Sequence, residues 1–154
     1  MTRKIVGLSG AVLLGLALVF FIVMAKKGED QGANLTDAKL VSAGEQVYRD
    51  HCASCHGANL EGQPDWQARK KDGRLPAPPH DETGHTWHHP DDALFRIIKE
   101  GVSGIVPGYE SDMPAYGDKL TEQEIWAVLS FIKSRWPRRI QETHANINRR
   151  AHQK

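Results

Sequence analysis

Five consecutive residues, Cys52-Ala53-Ser54-Cys55-His56, constrain the fold of this chain more than any other part of its sequence. The spacing C-x-x-C-H is the attachment signature of a c-type haem. In such a site both thiols add to the haem vinyl groups as thioethers, and the adjoining histidine becomes an axial ligand of the iron. We therefore expect one covalently bound haem c, held by Cys52, Cys55 and His56.

Three other interpretations of the two cysteines fit the sequence less well. A zinc site needs four ligands and usually two cysteine pairs, whereas this chain has one pair. A thioredoxin-like dithiol is expected within a βαβ pattern, which the sequence lacks. A structural disulfide would leave His56 without a role, so the haem interpretation is the one that uses the whole motif.

An uncharged run from Ile5 to Ala25 predicts a membrane-spanning helix. It has 21 residues, of which 17 are apolar, and as a helix it would span about 31 Å, close to the hydrocarbon thickness of a bilayer. Arg3 and Lys4 precede it, which favours a bacterial inner-membrane protein with its remaining residues on the periplasmic side. A cleaved signal peptide is the alternative, with Val23 and Ala25 at the cleavage site, although its apolar region should be about 7–15 residues long.

Composition divides the chain into four parts. We predict a membrane anchor at residues 1–25, a polar linker at 26–36, a cofactor-binding domain at 37–137 and a basic tail at 138–154. Only 43 of the 129 residues from 26 onward are apolar, which is few for an ordinary globular chain. A covalent cofactor would fill the middle of such a lean core. The single long apolar run and the two cysteines exclude a polytopic membrane protein and a disulfide-dense module.

Helical patterns occur at three places in this domain, and alternating strand patterns at none. Apolar residues recur at helical spacing in Ala38–Asp50, Asp91–Glu100 and Thr121–Trp136. Thr121 and Glu124 match a capping box, which starts the last of these helices. Residues 57–90 are rich in glycine and proline and show no clear period. The predicted fold class is all-α with long loops, preceded by one transmembrane helix.

These features resemble the class I mono-haem cytochromes c. Gly44, Tyr48 and Cys52 fall four residues apart on one face of the first predicted helix. In that family the small and the aromatic residue pack against the carboxy-terminal helix, which corresponds here to Thr121–Trp136. The resemblance covers about residues 36–136 and implies cytochrome c-like helices around a covalent haem.

Met113 is predicted to be the second axial ligand of the haem iron. It is the only methionine after the apolar run, and it lies in a polar loop before the last predicted helix, where the resembled family places its axial methionine. A core-filling role is the alternative. With both axial positions filled, no open site remains for oxygen or a substrate, so the predicted role is electron transfer rather than enzymatic catalysis.

Two further residues are predicted to support the haem. A haem-ligating histidine normally donates its second ring N–H to a carbonyl, and in the resembled family a proline-containing loop after the motif supplies it, here through Pro78. Trp87, or less favourably Trp66, could place its indole N–H near a haem propionate, with plain hydrophobic packing as the alternative.

Four more histidines lie between the motif and the second predicted helix: His80, His85, His88 and His89. Bis-histidine ligation or a copper site is conceivable for such a cluster. Loop histidines are more often exposed or hydrogen-bonded, and that is the reading the sequence favours.

Charge is distributed unevenly along the chain. Residues 26–132 carry seven more acidic than basic side chains, and residues 133–154 carry six more basic than acidic ones. The basic end could contact a charged partner or anionic lipid, but a solvated tail is the simpler interpretation. No basic stripe is interleaved with aromatic residues, which argues against nucleic-acid binding.

Together these features predict a membrane-tethered electron carrier that shuttles single electrons between membrane redox complexes or other carriers. Its tether raises the carrier's local concentration near its partners. The main alternative is a haem c subunit of a larger membrane oxidoreductase complex. A third is an enzyme or ligand sensor with an open iron site.

Overall fold

The computed structural model describes residues 32–153, and within that part of the chain every regular element is a helix. The α-helices, numbered here in chain order, are α1 Ala38–His51, α2 Ala53–His56, α3 Asp91–Glu100, α4 Val102–Ile105, α5 Glu122–Ser134 and α6 Arg138–Ala151, with a 3₁₀ helix at Thr86–His88. The predicted all-α class with long loops is confirmed for these residues. The predicted span Ile5–Ala25 lies outside them.

None of the helices between residues 32 and 153 combines the length and the apolar character needed to cross a bilayer.

Local signals account for where the main helices begin and end. The Asp37 carboxylate accepts hydrogen bonds from the backbone N–H groups of the first turn of α1. At the start of α5, the predicted capping box is confirmed: the Glu124 N–H donates to the Thr121 hydroxyl at 3.2 Å, and the Thr121 N–H donates to the Glu124 carboxylate at 2.8 Å. Helix α3 is followed by Gly101, whose φ of 72° suits glycine.

Helices α1 and α5 cross in direct backbone contact. A Cβ atom added to Gly44 would lie 1.9 Å from the carbonyl oxygen of Ala127, so only glycine permits this approach. One turn along α1, the Tyr48 ring packs on Phe131 with 5.4 Å between ring centroids. The crossing that the resemblance implied is therefore present. The buried hydrophobic residues around it are Val47, Tyr48, Leu60, Leu94, Leu120, Ile125, Val128, Leu129, Phe131, Ile132, Trp136 and Ile140.

Residues 138–151 differ from the predicted solvated tail, because they form helix α6 and pack on the domain. The Ile140 and His144 side chains are each only 1% exposed. The His144 imidazole donates from Nε2 to the His89 carbonyl at 2.9 Å. Asn148 exchanges two hydrogen bonds with Asp91, and the Lys133 ammonium contacts both oxygens of that carboxylate at 2.6 and 2.8 Å. Helix α6 is thus held on the domain largely by polar contacts, and it lacks the stripe of apolar residues by which a packed helix is predicted from a sequence.

The long stretch after the C-x-x-C-H motif is ordered by backbone hydrogen bonds although it has little regular structure. The His80 N–H donates to the Leu60 carbonyl at 2.7 Å, and the Gln63 N–H donates to the Ala77 carbonyl at 2.9 Å. Gly62 has a φ of +70°, and a Cβ there would lie 2.4 Å from the Pro79 nitrogen. The glycine therefore lets the proline-rich segment lie directly against the chain that follows the motif.

Candidate functional site

The motif residues lie where α1 passes into α2. Cys52 continues the helical pattern by donating its N–H to the Tyr48 carbonyl, and His56 donates its N–H to the Cys52 carbonyl, both at 2.9 Å. Within residues 32–153 the two cysteines form no disulfide, and Cys52 is half-buried whereas Cys55 is exposed. Burial, and secondarily the neighbouring Cys55, raises the pKa of Cys52 to about 12. A redox dithiol of the thioredoxin type needs a lowered cysteine pKa, so this environment argues against that alternative.

His56 is buried and held in one orientation. Its Nδ1 lies 2.9 Å from the carbonyl oxygen of Pro78, and because a carbonyl can only accept, Nδ1 carries the proton and Nε2 keeps its lone pair. Burial lowers the pKa of His56, against the opposing effect of the hydrogen bond to Pro78. The ring is therefore a neutral imidazole with one free nitrogen, the state in which histidine binds a metal ion.

Two buried N–H groups of the loop that follows the motif lack a hydrogen-bond acceptor within residues 32–153. Neither Trp87 Nε1 nor Arg74 Nε has one, although both atoms are buried; Arg74 Nε lies 3.7 Å from a carboxylate oxygen of Glu110. A buried donor without an acceptor is costly, and such groups are normally paired. A carboxylate group of a bound cofactor would supply the acceptor that Trp87 lacks, so this donor fits a haem with its propionates. Arg74, which already faces the carboxylates of Glu110 and Asp112, was not predicted from the sequence, which contains no local signal for it.

Met113 is on a loop that is anchored on both sides. The preceding residue, Asp112, is bound by Lys70 and by Arg74 Nη1, the latter at 2.7 Å. Three residues further on, the Tyr116 hydroxyl donates to the His51 carbonyl at 2.7 Å, next to the motif. The Met113 side chain itself is half-buried, and its N–H donates to the Ser111 hydroxyl.

The side chains of the remaining histidines of the loop pack against other aromatic rings. His85 stacks on Trp66 with 5.4 Å between ring centroids, and His88 stacks on Trp87 at 3.7 Å. The part of the chain described by the structure contains no group of three or more histidine, cysteine or carboxylate side chains that could hold a metal ion. The copper alternative therefore finds no support in these residues.

His80 has a position that the sequence did not indicate. Its ring stacks on the ring of His56, with 4.0 Å between centroids and 23° between planes. Two imidazoles on opposite sides of one iron lie end to end rather than face to face, so this pair is not a bis-histidine arrangement. Burial, followed by the nearby His56 and His85, holds the pKa of His80 well below its usual value.

The fold and the site together define a helical domain built for a covalently attached haem. The cytochrome c family profile matches residues 41–136, which is more than half of the chain, and the protein belongs to this family. Haem c, covalently bound, is therefore its cofactor.

Named relatives are subunits of membrane redox complexes. The CcoP subunit of a cbb3-type cytochrome c oxidase from Rhodobacter capsulatus is 29% identical over 100 residues, covering 64% of this chain and 30% of its own length. The FixP subunit of such an oxidase from Sinorhizobium medicae is 27% identical over 96 residues, covering 61% and 29%. The cytochrome c subunit of the cytochrome bc1 complex from Mycobacterium bovis is 39% identical over 62 residues, covering 38% and 22%. This chain thus spans less than a third of the length of these relatives. No solved structure matches it significantly.

Proposed function

We propose that this protein is a mono-haem electron carrier that passes single electrons between membrane redox partners on the periplasmic side of a bacterial inner membrane. When bound, haem c supplies a one-electron ferric–ferrous couple. The observation that carries the proposal is His56, which is buried, neutral and fixed by Pro78 with its Nε2 free.

Each predicted site residue has a separate task in this proposal. Cys52 and Cys55 attach the cofactor as thioethers, which retains it without a deep enclosing pocket. His56 Nε2 and the Met113 sulfur would hold the haem iron, where a thioether ligand would favour the ferrous state. Trp87 would give its unpaired indole N–H to a propionate, and the Pro78 carbonyl fixes the tautomer of His56.

Filling both axial positions from the protein favours electron transfer over catalysis. The anchored loop around Met113 supports this assignment, since Asp112 and Tyr116 tie it to two other parts of the domain. The apolar run Ile5–Ala25 would tether the domain to the membrane. A tether keeps the carrier at high local concentration near its partners, so that weak and brief contacts suffice.

The second candidate is a haem c subunit of a larger membrane oxidoreductase. It is favoured by the relatives, which are subunits of a cbb3-type oxidase or of the cytochrome bc1 complex. The two candidates differ in assembly size. A carrier extracted in mild detergent should run as the single chain, whereas a subunit should run only in a stable complex with other chains.

The full chain expressed in bacteria that mature c-type cytochromes tests the proposal. We expect membrane-extracted protein with the mass of one added haem, a methionine-to-iron charge-transfer band in the ferric state, and a ferrous spectrum that carbon monoxide does not change. Colourless protein with two alkylatable thiols would refute the cofactor assignment. An immediate response to carbon monoxide would refute the axial methionine and favour an open iron site.

Substitution of the axial methionine gives the sharper test. Met113→Ala should abolish the charge-transfer band, lower the reduction potential and allow carbon monoxide to bind. The matched control is Val106→Ala, because Val106 is an exposed apolar residue, 46% accessible, before the same loop. Unchanged spectra in Met113→Ala, or equal changes in both variants, would contradict the assignment.

A further inference from the structure

The stacked pair of imidazoles at the motif is the feature that the proposed function leaves unexplained. His80 covers one face of the His56 ring, at 4.0 Å and 23°. The Pro78 carbonyl contacts a different part of the same ring, its Nδ1 edge. The two contacts are therefore independent restraints on one side chain.

His80 is itself held from three directions. Its backbone N–H donates to the Leu60 carbonyl at 2.7 Å, and its own carbonyl accepts from Trp136 Nε1 at 2.7 Å. Its ring Nδ1 shares a 2.8 Å hydrogen bond with the hydroxyl of Thr86, a buried residue of the 3₁₀ helix. Contacts with residues other than His56 thus fix both the backbone and the ring of His80.

A hydrogen bond to one ring nitrogen fixes the position of that atom better than it fixes the tilt of the ring. A flat ring packed on the face of the imidazole removes the remaining rotation, because tilting would separate the rings or make them collide. We propose that His80 is a positioning residue that sets the plane of the axial imidazole of His56. This inference rests on the proposed ligation by His56.

The plane of the ring matters for an electron carrier. The π orbital of an axial imidazole overlaps with iron d orbitals according to the direction of its plane, so a fixed plane gives a single electronic state of the ferric iron. A ring free to tilt would give several. The supports of a metal ligand are known to tune the metal in this way.

Three substitutions of His80 test separately the effect of its aromatic ring and the effect of its hydrogen bond to Thr86. His80→Phe keeps an aromatic face but loses the bond to Thr86, His80→Asn keeps a polar partner for Thr86 but loses the ring, and His80→Leu loses both at similar volume. Each is made in the full chain with haem attached. Proton NMR of the ferric protein is the readout, because the spread of the haem-methyl shifts depends on the plane of the axial imidazole, and the other proposed ligand, Met113, is the same in all variants.

We expect His80→Phe to keep the wild-type pattern of haem-methyl shifts, and His80→Asn and His80→Leu to change it. The change should appear well below the unfolding temperature, which separates positioning from loss of stability. Wild-type shifts in His80→Leu, or equal changes in the Phe and Leu variants, would overturn the proposal.

A milder variant keeps the test decisive if the ring substitutions fail to fold. Thr86→Val removes the hydroxyl that holds the His80 ring while it leaves both imidazoles in place. We expect broadened or shifted haem-methyl resonances, and an unchanged spectrum would count against the proposal. Wild-type protein whose ferric spectrum lacks histidine ligation would instead refute the proposed function, so the two failures are distinguishable.

Discussion

Replacing Gly44 by alanine should destabilise the domain, because the added methyl group collides with the backbone of α5. The added Cβ would lie 1.9 Å from the Ala127 oxygen and 2.4 Å from its carbonyl carbon, whereas real Cβ atoms keep at least 3.0 Å. These neighbours are backbone atoms of α5, so no rotamer change relieves the collision. The two helices must instead separate by roughly 1 Å, which opens gaps in a close-packed core.

The expected loss in free energy of unfolding follows from two opposing effects. Overpacking of a core costs about 1–3 kcal/mol, and a collision with backbone belongs at the upper end of that range. Alanine has a higher helix propensity than glycine by about 1 kcal/mol. The net loss in free energy of unfolding is therefore about 2 kcal/mol, which lowers the melting temperature of a domain of this size by roughly 8 °C.

Thermal unfolding followed by circular dichroism measures this loss in the haem-loaded protein. Gly104→Ala is the matched control, since Gly104 also lies in a helix but its added Cβ would meet only the Glu100 side chain, at 3.5 Å. The control should keep or slightly raise the melting temperature. A Gly44→Ala protein as stable as the control would refute the direct helix contact.

Three more predictions concern the haem attachment and the buried charges. Replacing Cys52 and Cys55 by Ala should abolish covalent attachment of haem, as measured by intact mass, and leave a poorly folded domain. A compact variant that unfolds cooperatively would contradict the inference that this domain, with its few apolar residues, needs haem to complete its core. Lys133→Met leaves the Asp91 carboxylate, which is 16% exposed, without its ion partner but with its hydrogen bond from Asn148, and should cost about 3 kcal/mol in denaturant titrations; a loss below 1 kcal/mol would show the pair to be dispensable. Burial, and then Lys133, lowers the pKa of His144, so the unfolded state binds a proton first as the pH falls below about 6.5 and stability is lost on acidification. The slope of melting temperature against pH between 7 and 5 should therefore be flatter in His144→Gln, and an equal slope would refute this.

Where the sequence carried local signals, the prediction and the structure agree closely. The predicted helix Asp91–Glu100 has the observed bounds, and α1 begins at Ala38 as expected. The last predicted helix was expected to reach Trp136, but α5 ends at Ser134, because Pro137 already disturbs the preceding turn. Caps, prolines and apolar periodicity act within a few residues and can be read directly from the sequence.

What could not be predicted depends on contacts between distant parts of the chain. Helix α6 was missed because its buried face consists of Ile140 and His144 with polar neighbours, and a histidine in an apolar position resembles a surface residue. The stack of His80 on His56 joins residues 24 positions apart with no periodic pattern between them. Such contacts become visible only when the path of the whole chain is known.

Contacts around the motif hold the long loop of this domain, which has few apolar residues. The loop supplies two supports for the motif, the Pro78 carbonyl and the His80 ring, and both contact His56. In return, the backbone beside the motif holds the loop, since the Leu60 carbonyl accepts from His80. His56 is thus a packing centre for the loop as well as the proposed axial ligand. Substitutions that free the His56 ring should therefore loosen the loop as well, detectable as faster amide hydrogen exchange across residues 60–80.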